Sequence, residues 1–540
     1  MKIRAYGLPA LLLLLAATAH AQTFSVLYTF GTNGGDPSDG GTTPNVLAQG
    51  RDGNLYTTSW SGGTNGLGTV YKVTPAGKLT VLYSFDGTHG SSPWSGVILA
   101  TDGNFYGTTS SGGTSEDGTV FKITPSGTLT VLYNFTGGSD GWSPIAPPIQ
   151  GTDGSLYGTA KNGGTGYGTV YKLTLSGRFT LLHEFAGTDG STPEANLVQA
   201  TNGTFYGTTA VGGITGGCGC GTVFSITSSG KFTLLYNFDG THGSTPSYSA
   251  LVQTSSGKFY ATAINGGTNN DGVIYEITPA GLVTDLHSFT GSDGDIPLVA
   301  LVQANDGNYY SNAVQGGSTG NGTLFRISPS GGNFSIQYNY VSNDGNPASP
   351  LLQNTNGIFY GKTDHGEPIG DGEFYSFSEG LGPFISFLPP QSAGKVGASI
   401  GIFGQGFTGT TGVSFGGTPA TFTVASNTYL TATVPAGALT GPVTAATPGG
   451  NLASSQTFRV TPQLNSFSPP SGPVGTPVMI TGVSLTQTSS VKFGARSASF
   501  TVNSDTQVTA TVPTGATTGK ITITTPGGTA TSTTDFTVTP

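Results

Sequence analysis

A tyrosine that follows an apolar or aromatic residue returns at intervals of 49 to 54 residues along the first two thirds of the chain. The seven positions are Tyr56, Tyr106, Tyr157, Tyr206, Tyr260, Tyr310 and Tyr360. A period of about 50 residues is typical of a β-propeller blade or of an open repeat array. Each unit also contains four short strand-like runs separated by Gly- and Pro-led turns such as Asp52-Gly53, which is the strand content of one blade.

The number of copies of each strand distinguishes a closed ring from an open array. The third-strand motif, a Gly-Thr-Val-Tyr pattern that first begins at Gly68, occurs seven times. The fourth-strand motif also occurs seven times, but one copy, at residues 24–30, precedes the first unit and none follows the last. We therefore predict that the N-terminal strand completes the last blade of a seven-bladed β-propeller over residues 22–382, because closure removes free sheet edges.

The composition supports an all-β chain and excludes one class of partner. Charged residues make up 8% of the 540 residues, against about 25% in an average soluble domain. The 89 glycines disfavour helices. The chain has 18 Lys and Arg against 27 Asp and Glu, a formal net charge of −9. Because little positive charge is available to neutralise phosphates, we expect no nucleic-acid partner.

Residues 1–21 have the pattern of a secretory signal peptide. Lys2 and Arg4 precede an apolar run, and Ala19-His20-Ala21 fits a small-residue cleavage site. The apolar run is shorter than the ~20 residues that a membrane-spanning helix needs. We therefore expect cleavage after residue 21, no transmembrane span, and a secreted protein that is extracellular or lies at the cell surface.

The repeated unit resembles a known bacterial repeat. The matching pieces are Asp-Gly-Asn-Phe-Tyr-Gly-Thr-Thr at 102–109, Gly-Gly at 112–113 and Gly-Thr-Val-Phe-Lys-Ile-Thr at 118–124. This pattern is similar to the GloVer tandem repeat of exported "choice-of-anchor" proteins and covers about two thirds of the chain. The resemblance implies an exported or surface repeat protein, and it brings no established catalytic residue.

A second repeat begins near residue 383, where the shorter period stops. Pro389-Pro390 returns as Pro469-Pro470, and the Thr-Pro-Gly-Gly of 447–450 returns at 525–528. Two units with short alternating strands predict two Ig-like β-sandwiches, at 383–461 and 462–540. Together with Gly-Gln-Gly-Phe at 404–407, these features resemble IPT/TIG domains, which implies spacer or adhesion modules.

Motifs for catalysis are weak. Gly-x-Ser-x-Gly occurs at 137–141, 316–320 and 412–416, but none of these stretches has the strand–turn–helix context of a nucleophile elbow. Cys218 and Cys220 flank a single glycine. In an exported protein this pair predicts a local disulfide, with metal binding as the alternative. We expect no catalytic residue, no metal and no cofactor.

One candidate binding surface comes from the loops that lead from each fourth strand to the next blade. Each loop carries an Asp-Gly or His-Gly pair, at Asp39, His89, Asp140, Asp189, His242, Asp293 and Asp344. Strand order puts these loops on the same face as the loops between second and third strands. Seven carboxylate or imidazole groups on one rim would bind a ligand, but Asp-Gly also forms tight turns by itself. Both interpretations stay open at this point.

Two functional hypotheses follow from the sequence. The first is a non-enzymatic cell-surface or extracellular scaffold that uses one propeller rim to bind a polymer or a surface protein. The second is an extracellular propeller hydrolase or lyase that acts on a glycan. The scarcity of charged residues and histidines favours the first, as does the near-equivalence of the repeats, because a catalytic pocket needs unlike residues at like positions.

Overall fold

The computed structural model describes residues 22–31, 37–38, 45–213, 218–364 and 371–540. Within these residues every regular element is a β-strand, so the all-β prediction is confirmed. The strands of the repeat region are two to seven residues long and rich in Val, Thr, Phe and Tyr, whose side chains suit a pleated surface. The predicted signal peptide, residues 1–21, lies outside the described residues.

The described part of the repeat region forms seven four-stranded antiparallel sheets, numbered 1 to 7 along the chain. Consecutive strands are hydrogen-bonded neighbours within each sheet. The first strands are Ala48–Gln49, Val97–Leu99, Ile149–Gln150, Val198–Gln199, Val252–Gln253, Val302–Gln303 and Leu352–Gln353. The second strands are Leu55–Ser59, Phe105–Thr109, Leu156–Ala160, Phe205–Thr209, Phe259–Ala263, Tyr309–Ala313 and Phe359–Lys362.

The outer half of each sheet consists of the third and fourth strands. The third strands are Thr69–Val73, Thr119–Ile123, Thr169–Leu173, Thr222–Ile226, Val273–Ile277, Thr323–Ile327 and Glu373–Ser378. The fourth strands of sheets 1 to 6 are Leu79–Ser84, Leu129–Asn134, Phe179–Glu184, Phe232–Asn237, Val283–Ser288 and Phe334–Asn339. A separate two-stranded pair joins Pro37–Ser38 to Ser61–Gly62.

The fourth strand of sheet 7 comes from the start of the chain. Thr23–Thr29 pairs antiparallel with Glu373–Ser378. Phe24 stacks on Tyr338 of sheet 6 with 4.4 Å between ring centroids, and Phe30, which follows the strand, is fully buried. The two ends of the repeat region are therefore joined by backbone hydrogen bonds and by aromatic packing.

Neighbouring sheets pack face to face through their second strands. Leu55 and Tyr56 are adjacent, so they point to opposite faces of sheet 1, and both are buried. Tyr56 stacks on Phe105 of sheet 2 with 4.0 Å between centroids. Buried apolar clusters link each sheet to the next, and one that contains Phe30 and Tyr360 links sheet 7 to sheet 1. The periodic tyrosines are therefore packing residues.

The Asp-Gly-Asn motif builds the turn before the second strand and anchors the periodic tyrosine. Asp52 accepts hydrogen bonds from the backbone N–H of Asn54 at 3.2 Å and from the Tyr56 hydroxyl at 2.8 Å. Gly53 has φ 79°, a left-handed conformation that glycine adopts without steric cost. The same bonds recur around Asp102 and Asp306.

A first-strand glutamine ties each of several sheets to the preceding one. The Gln150 side-chain oxygen of sheet 3 accepts the backbone N–H of Thr101 in sheet 2 at 2.9 Å. Gln49 of sheet 1 accepts the N–H of Thr355 in sheet 7 at 3.0 Å. The contact between the last and first sheets is thus of the same kind as the contacts within the series.

The C-terminal part contains two further units, each with its own buried core. The first unit has two four-stranded sheets and one parallel pair, formed by Ser386–Phe387, Ala393–Gly394, Ser399–Phe403, Gly412–Phe415, Thr418–Ala420, Phe422–Ser426, Tyr429–Thr433, Val443–Thr447, Gly450–Ala453 and Arg459–Val460. The second has a four-stranded and a five-stranded sheet, formed by Gln463–Ser468, Ser471–Gly472, Pro477–Val483, Ser490–Phe493, Arg496–Ala498, Phe500–Ser504, Gln507–Thr511, Gly519–Thr525 and Gly528–Val538.

The first C-terminal unit packs on sheet 1 of the repeat region. The Arg51 guanidinium lies 4.7 Å from the centroid of the Tyr429 ring. The hydroxyls of Ser426 and Thr428 donate to the Arg51 carbonyl at 2.6 and 2.9 Å, and Phe403 joins the buried cluster of sheets 1 and 2. This contact is far from the loops that carry the predicted rim, because Arg51 lies in a turn between first and second strands, at the opposite ends of the strands.

Candidate binding site

Two sets of loops meet on one face of the repeat region. In each sheet the loop that enters the first strand pairs with the loop that follows the second strand, as Trp142 does with Asn162 and Ser191 with Val211. We call the surface formed by these two sets the loop face. It carries every predicted rim residue that the structure describes, while Asp39 lies outside the described residues.

The four predicted rim aspartates in the described residues are hydrogen-bonded inside their own loops. Asp140 accepts the Tyr133 hydroxyl and the Thr136 N–H, both at 2.9 Å. Asp344 has the same arrangement with Tyr338 and Val341, at 2.8 and 3.0 Å. Asp189 lies 2.9 Å from Nε2 of His183 and accepts the N–H of Ala186. Asp293 lies 2.9 Å from Nε2 of His287 and accepts the N–H of Thr290.

The two rim histidines belong to loops in which the carboxylate has moved by three residues. Nδ1 of His89 lies 2.7 Å from Asp86, and Nδ1 of His242 lies 3.2 Å from Asp239. Burial acts to raise the pKa of each aspartate, but hydrogen bonds from the histidine backbone and ring outweigh it and lower the pKa below the ordinary value. All six described loops therefore keep a carboxylate at one of two positions three residues apart, which a comparison of single sequence positions does not reveal.

These contacts define what the rim carboxylates do in the fold. Burial, then the bond to Asp140, raises the pKa of Tyr133, and burial together with Asp344 does the same for Tyr338. Burial lowers the pKa of His287 although Asp293 opposes the shift. The four rim aspartates thus hold their loops against side chains of the fourth strands, whereas Asp86 and Asp239 bond within their own loops. Ligand binding by these residues stays a prediction.

A small pocket of about 50 Å³ lies where the first strands of the sheets converge. Six residues that each precede a first-strand glutamine by three positions line it: Val46, Pro147, Asn196, Ala250, Ala300 and Pro350. The pocket is also lined by the residues two positions before three of these six, namely Ile145, Glu194 and Tyr248. Alternate residues of an extended chain point to the same side, which explains this spacing. We call this the axial pocket. Six of the seven sheets contribute to its wall, so it is enclosed laterally.

Unlike residues occupy equivalent positions at the end of the axial pocket nearest the loop face. Trp60 of sheet 1 meets Trp94 of the next repeat with 5.9 Å between ring centroids. At the corresponding place Lys161 pairs with Glu194. Two sheets further on, Ile264 and Leu298 pack in one apolar cluster with Tyr248. We call these seven residues the axial mouth. The expectation that the repeats stay near-equivalent is wrong here.

The charged pair is the most polar part of the axial mouth. Nζ of Lys161 lies 2.8 Å from Oε1 of Glu194, whose side chain is 9% exposed. Burial, then the negative charge of Glu194, raises the pKa of Tyr248. A carboxylate held this deeply needs a partner, because an unpaired buried charge is strongly unfavourable. Lys161 supplies that partner and fixes the carboxylate beside the axial pocket.

A recurring strained segment positions the axial mouth. The residue before the loop proline has a left-handed backbone in five repeats, with φ between 52° and 58° at Ser92, Ser143, Thr192, Thr245 and Ile296. This conformation is rare for β-branched residues. Thr192 is held in it by hydrogen bonds to Tyr167 and from Ala210, both at 3.0 Å. Such strain persists where surrounding bonds over-determine the backbone, and it is common at functional sites.

Exposed aromatic residues extend the axial mouth outward over the loop face. The side chain of Trp142 is 43% exposed and that of Tyr167 is 42% exposed. Both lie in loops of sheet 3: Trp142 pairs with Asn162, the residue that follows Lys161, and Tyr167 lies further along the same loop as Lys161. Exposed Trp and Tyr present an apolar ring with a polar edge, a combination that is enriched at binding surfaces.

Comparison with protein families matches most of the chain. The model of the Gloeobacter/Verrucomicrobia repeat matches residues 14–219 and 214–425. The chain belongs to the Gloeobacter/Verrucomicrobia repeat family. The IPT/TIG domain model matches residues 462–538 of this repeat-family protein, which places a recognised domain in its second C-terminal unit. No curated protein is similar enough to this family member to match it.

Solved structures resemble the repeat-family protein only remotely. A fungal alcohol oxidase of the AA5 family in complex with copper is 16% identical with a TM-score of 0.46, over 78% of this chain and 97% of that chain. A putative 6-phosphogluconolactonase from Bacteroides uniformis is 16% identical with a TM-score of 0.37, over 54% and 83%. The surface glycan-binding protein PbSGBP-B from Prevotella bryantii is 18% identical with a TM-score of 0.22, over 27% and 38%. These likenesses are too distant to support a functional argument.

The remaining sequence candidates of the repeat-family protein lie apart from the axial mouth. Cys218 and Cys220 form a disulfide in the loop after the second strand of sheet 4. In the residues that the structure describes, no group of three or more His, Cys, Asp or Glu side chains is arranged to hold a metal ion. Over the same residues, no helix is long and apolar enough to cross a membrane.

Proposed function

We propose that the repeat region is a seven-bladed β-propeller over residues 22–382, followed by Ig-like sandwiches at 383–461 and 462–540. Seven four-stranded sheets in the described residues support this proposal, as does the N-terminal strand in sheet 7. The apolar clusters run from each sheet to the next and from sheet 7 to sheet 1. The same order of strand pairing in both C-terminal units supports two related sandwiches.

We propose that the protein is exported and acts outside the cell or at its surface. The signal-peptide pattern of residues 1–21 supports export. A disulfide between Cys218 and Cys220 fits an oxidising compartment. The second C-terminal unit matches an IPT/TIG domain, and the contact of Arg51 with Tyr429 attaches the repeat region to the first unit. This arrangement keeps the loop face away from the sandwich domains and open to a partner.

The function that this geometry favours is non-enzymatic binding of an extracellular polymer or surface protein on the loop face. The observation that carries the proposal is the axial mouth. Equivalent positions of different sheets hold three unlike pairs there: two tryptophans (Trp60 and Trp94), an ion pair (Lys161 and Glu194) and an apolar pair (Ile264 and Leu298). Positions that served only packing would hold similar residues in every repeat, as the positions of the second strands do. Because different chemical groups surround the axial pocket, a ligand would bind there in a single orientation.

One observation favours a second candidate, a hydrolase or lyase that acts on a glycan. Glu194 is a largely buried carboxylate beside Lys161, and Tyr248 lies on the same wall of the axial pocket. Carboxylate, amine and phenol groups are the usual donors and acceptors of protons in catalysis. Turnover of a glycan that depends on Glu194 would establish this candidate in place of the first.

The test compares two variants that change different parts of the loop face. One replaces the rim aspartates Asp140, Asp189, Asp293 and Asp344 with Asn, and the other replaces Trp94 and Trp142 with Ala. Binding of the mature protein to a glycan panel and to bacterial surface extracts is measured together with release of sugar fragments. We expect the Trp94→Ala/Trp142→Ala variant to lose binding, because it removes one indole ring of the axial mouth and the exposed indole ring of Trp142 on the loop face.

The outcomes separate the alternatives. Binding that survives in the tryptophan variant but is lost in the aspartate variant would move the site to the predicted carboxylate rim. Release of fragments by the parent protein would establish the hydrolase or lyase. Absence of binding to every member of the panel and to the extracts would contradict the scaffold proposal. Circular dichroism of each variant checks that the fold is intact.

A further inference from the structure

We propose that a second site, on the face of the repeat region opposite the loop face, binds the acetamido group of an N-acetylated sugar. The site is a pocket of about 130 Å³ beside the turns that join first and second strands in sheets 1 and 2. We call it the turn pocket. Its lining combines the apolar side chains of Tyr56, Leu99 and Phe105 with the polar groups of Arg51, Asp52 and Gly103.

A missing glutamine explains why this pocket exists. Six of the seven first strands end in a glutamine, whereas the first strand of sheet 2 ends in Leu99. In sheet 3 the Gln150 side chain accepts the N–H of Thr101 at 2.9 Å and donates to the Gly154 carbonyl at 3.1 Å. Sheets 4, 5 and 7 repeat both bonds. The glutamine amide thus bridges the turns of two neighbouring sheets.

Leu99 has no amide, so the corresponding groups around sheet 2 lack this bridge. These groups are the backbone N–H of Arg51 and the carbonyl of Gly103, and no other residue that the structure describes bonds either of them. The side-chain Nε of Arg51 is also buried without a partner among the described residues. The turn pocket therefore offers two donors and one acceptor at the place where other sheets hold an amide.

The Arg51 side chain is fixed beside the pocket before any ligand binds. Its Nη2 donates to the Thr101 carbonyl at 2.8 Å, and its guanidinium lies 4.7 Å from the centroid of the Tyr429 ring. A Cβ at Gly103 would lie 2.8 Å from Nη1 of Arg51, so only glycine allows this close approach. Groups that are already ordered lose little conformational entropy on binding.

An acetamido group matches the turn pocket in polarity and in size. Its oxygen has two lone pairs, which can accept the N–H and the Nε–H of Arg51, and its N–H can donate to the Gly103 carbonyl. Its methyl group can contact Leu99 and the rings of Tyr56 and Phe105. A cavity of about 150 Å³ holds one benzene molecule. A pocket of about 130 Å³ therefore admits the acetamido group and leaves the sugar ring outside.

The rim of the turn pocket favours a sugar over other sources of this group. The side chain of Asp52 is 42% exposed, and its carboxylate can accept hydrogen bonds from hydroxyls. A sugar presents hydroxyls beside its acetamido group, whereas an acetylated lysine presents a methylene chain. Acetate would place a second negative charge near Asp52 and an oxygen lone pair against the Gly103 carbonyl, so an anion is disfavoured despite Arg51.

The experiment uses the mature protein and saturation-transfer difference NMR with four ligands: N-acetylglucosamine, glucose, Nε-acetyl-lysine and acetate. We expect N-acetylglucosamine to bind, with the strongest saturation at the methyl protons of its acetyl group, because this group enters the pocket. Titrations should give at least tenfold weaker binding for glucose, for acetate and for Nε-acetyl-lysine.

Two variants and a matched control locate the site. Leu99→Gln places in the pocket the amide that the other six sheets have, and Leu99→Met fills the pocket with an apolar chain of similar length. Both should abolish binding of N-acetylglucosamine. Leu181→Gln is the control, because Leu181 is 36% exposed on a fourth strand and does not line the pocket. It should bind like the parent, and unfolding temperatures check that all three variants are folded.

Each result supports or overturns the inference. Unchanged binding in Leu99→Gln and Leu99→Met would overturn the turn pocket as the site. Acetate or Nε-acetyl-lysine that binds as tightly as N-acetylglucosamine would overturn the ligand class. If none of the four ligands binds, the inference fails while the loop-face function, which depends on other residues, is unaffected. Failure of the loop-face function would likewise leave binding in the turn pocket unchanged.

Discussion

Replacement of Glu373 by Gln should stabilise the protein at alkaline pH. Glu373 begins the third strand of sheet 7, at a position where five of the other six sheets have a threonine. In three of these sheets the threonine hydroxyl contacts a hydroxyl of the second strand, as Thr119 does with Thr109 at 2.9 Å. Glu373 is 5% exposed, and within the described residues its Oε2 atom has no hydrogen-bond partner. Burial, then the negative charge of Asp344, raises the pKa of Glu373 to about 7.

The sign and size of the effect follow from that pKa. An unfolded chain releases the Glu373 proton near the ordinary glutamate pKa of 4.5, whereas the folded protein retains it up to a pKa of about 7. The folded state therefore binds more protons between these values, and the free energy of unfolding falls as pH rises through this window. At about 1.4 kcal/mol per pKa unit, the ionised carboxylate lowers the stability by about 3 kcal/mol at pH 8. Glu373→Gln removes the ionisation and keeps the size of the side chain.

Guanidinium chloride unfolding at pH 4 and pH 8, followed by tryptophan fluorescence, measures this difference. The three tryptophans, Trp60, Trp94 and Trp142, all lie in the repeat region, so the signal reports on unfolding of the region that contains the substitution. We expect Glu373→Gln to exceed the parent by about 3 kcal/mol at pH 8 and to match it at pH 4. Glu276→Gln, on a partly exposed ion pair, should show no such gain. Equal pH dependence in parent and Glu373→Gln would refute the reasoning.

Two further predictions concern the attachment of the chain ends. Phe30→Ala and Phe135→Ala should each lower the free energy of unfolding by about 3–5 kcal/mol, because both rings are fully buried. Val26→Ala should change the free energy of unfolding little, because Val26 is 42% exposed. A loss at Phe30 far smaller than at Phe135 in the same denaturant titration would contradict closure by the N-terminal strand. Residues 384–540 expressed alone should give a β-sheet circular dichroism spectrum and cooperative unfolding, because both units have their own cores; an unfolded spectrum would count against two independent sandwiches.

The fold could be predicted from the sequence because every repeat makes the same packing contacts and therefore needs the same residue types at the same positions. Each second strand needs bulky residues on both faces, so Tyr56 and its counterparts return at one spacing and mark the sheets. Turn chemistry repeats for the same reason, since Asp52 both caps a turn and accepts the Tyr56 hydroxyl. Counting these motifs predicted an all-β chain and indicated where the N-terminal strand pairs.

The candidate site was not accessible in the same way, because its residues are defined by contacts between repeats. Lys161 and Glu194 belong to different sheets, and neither occupies a motif position. The loop carboxylates were also misjudged, since Asp86 and Asp239 lie three residues before the histidines that were compared with Asp140. When the loops are aligned on the end of the first strand, Trp94, Glu194 and Tyr248 occupy the same position and stand out as unlike residues.

Variation at the axis has a physical explanation that links the repeats to a single site. Most positions of a sheet in this region contact a neighbouring sheet, so a substitution such as one at Tyr71 or Phe121 would disrupt a packed core. Residues that point to the axis contact the pocket instead, so the packing of one sheet on the next constrains them less. Because equivalent axial positions converge on one volume, each change alters one wall of the same pocket. A symmetric framework therefore acquires one asymmetric site by substitution at the few positions that its own packing leaves free.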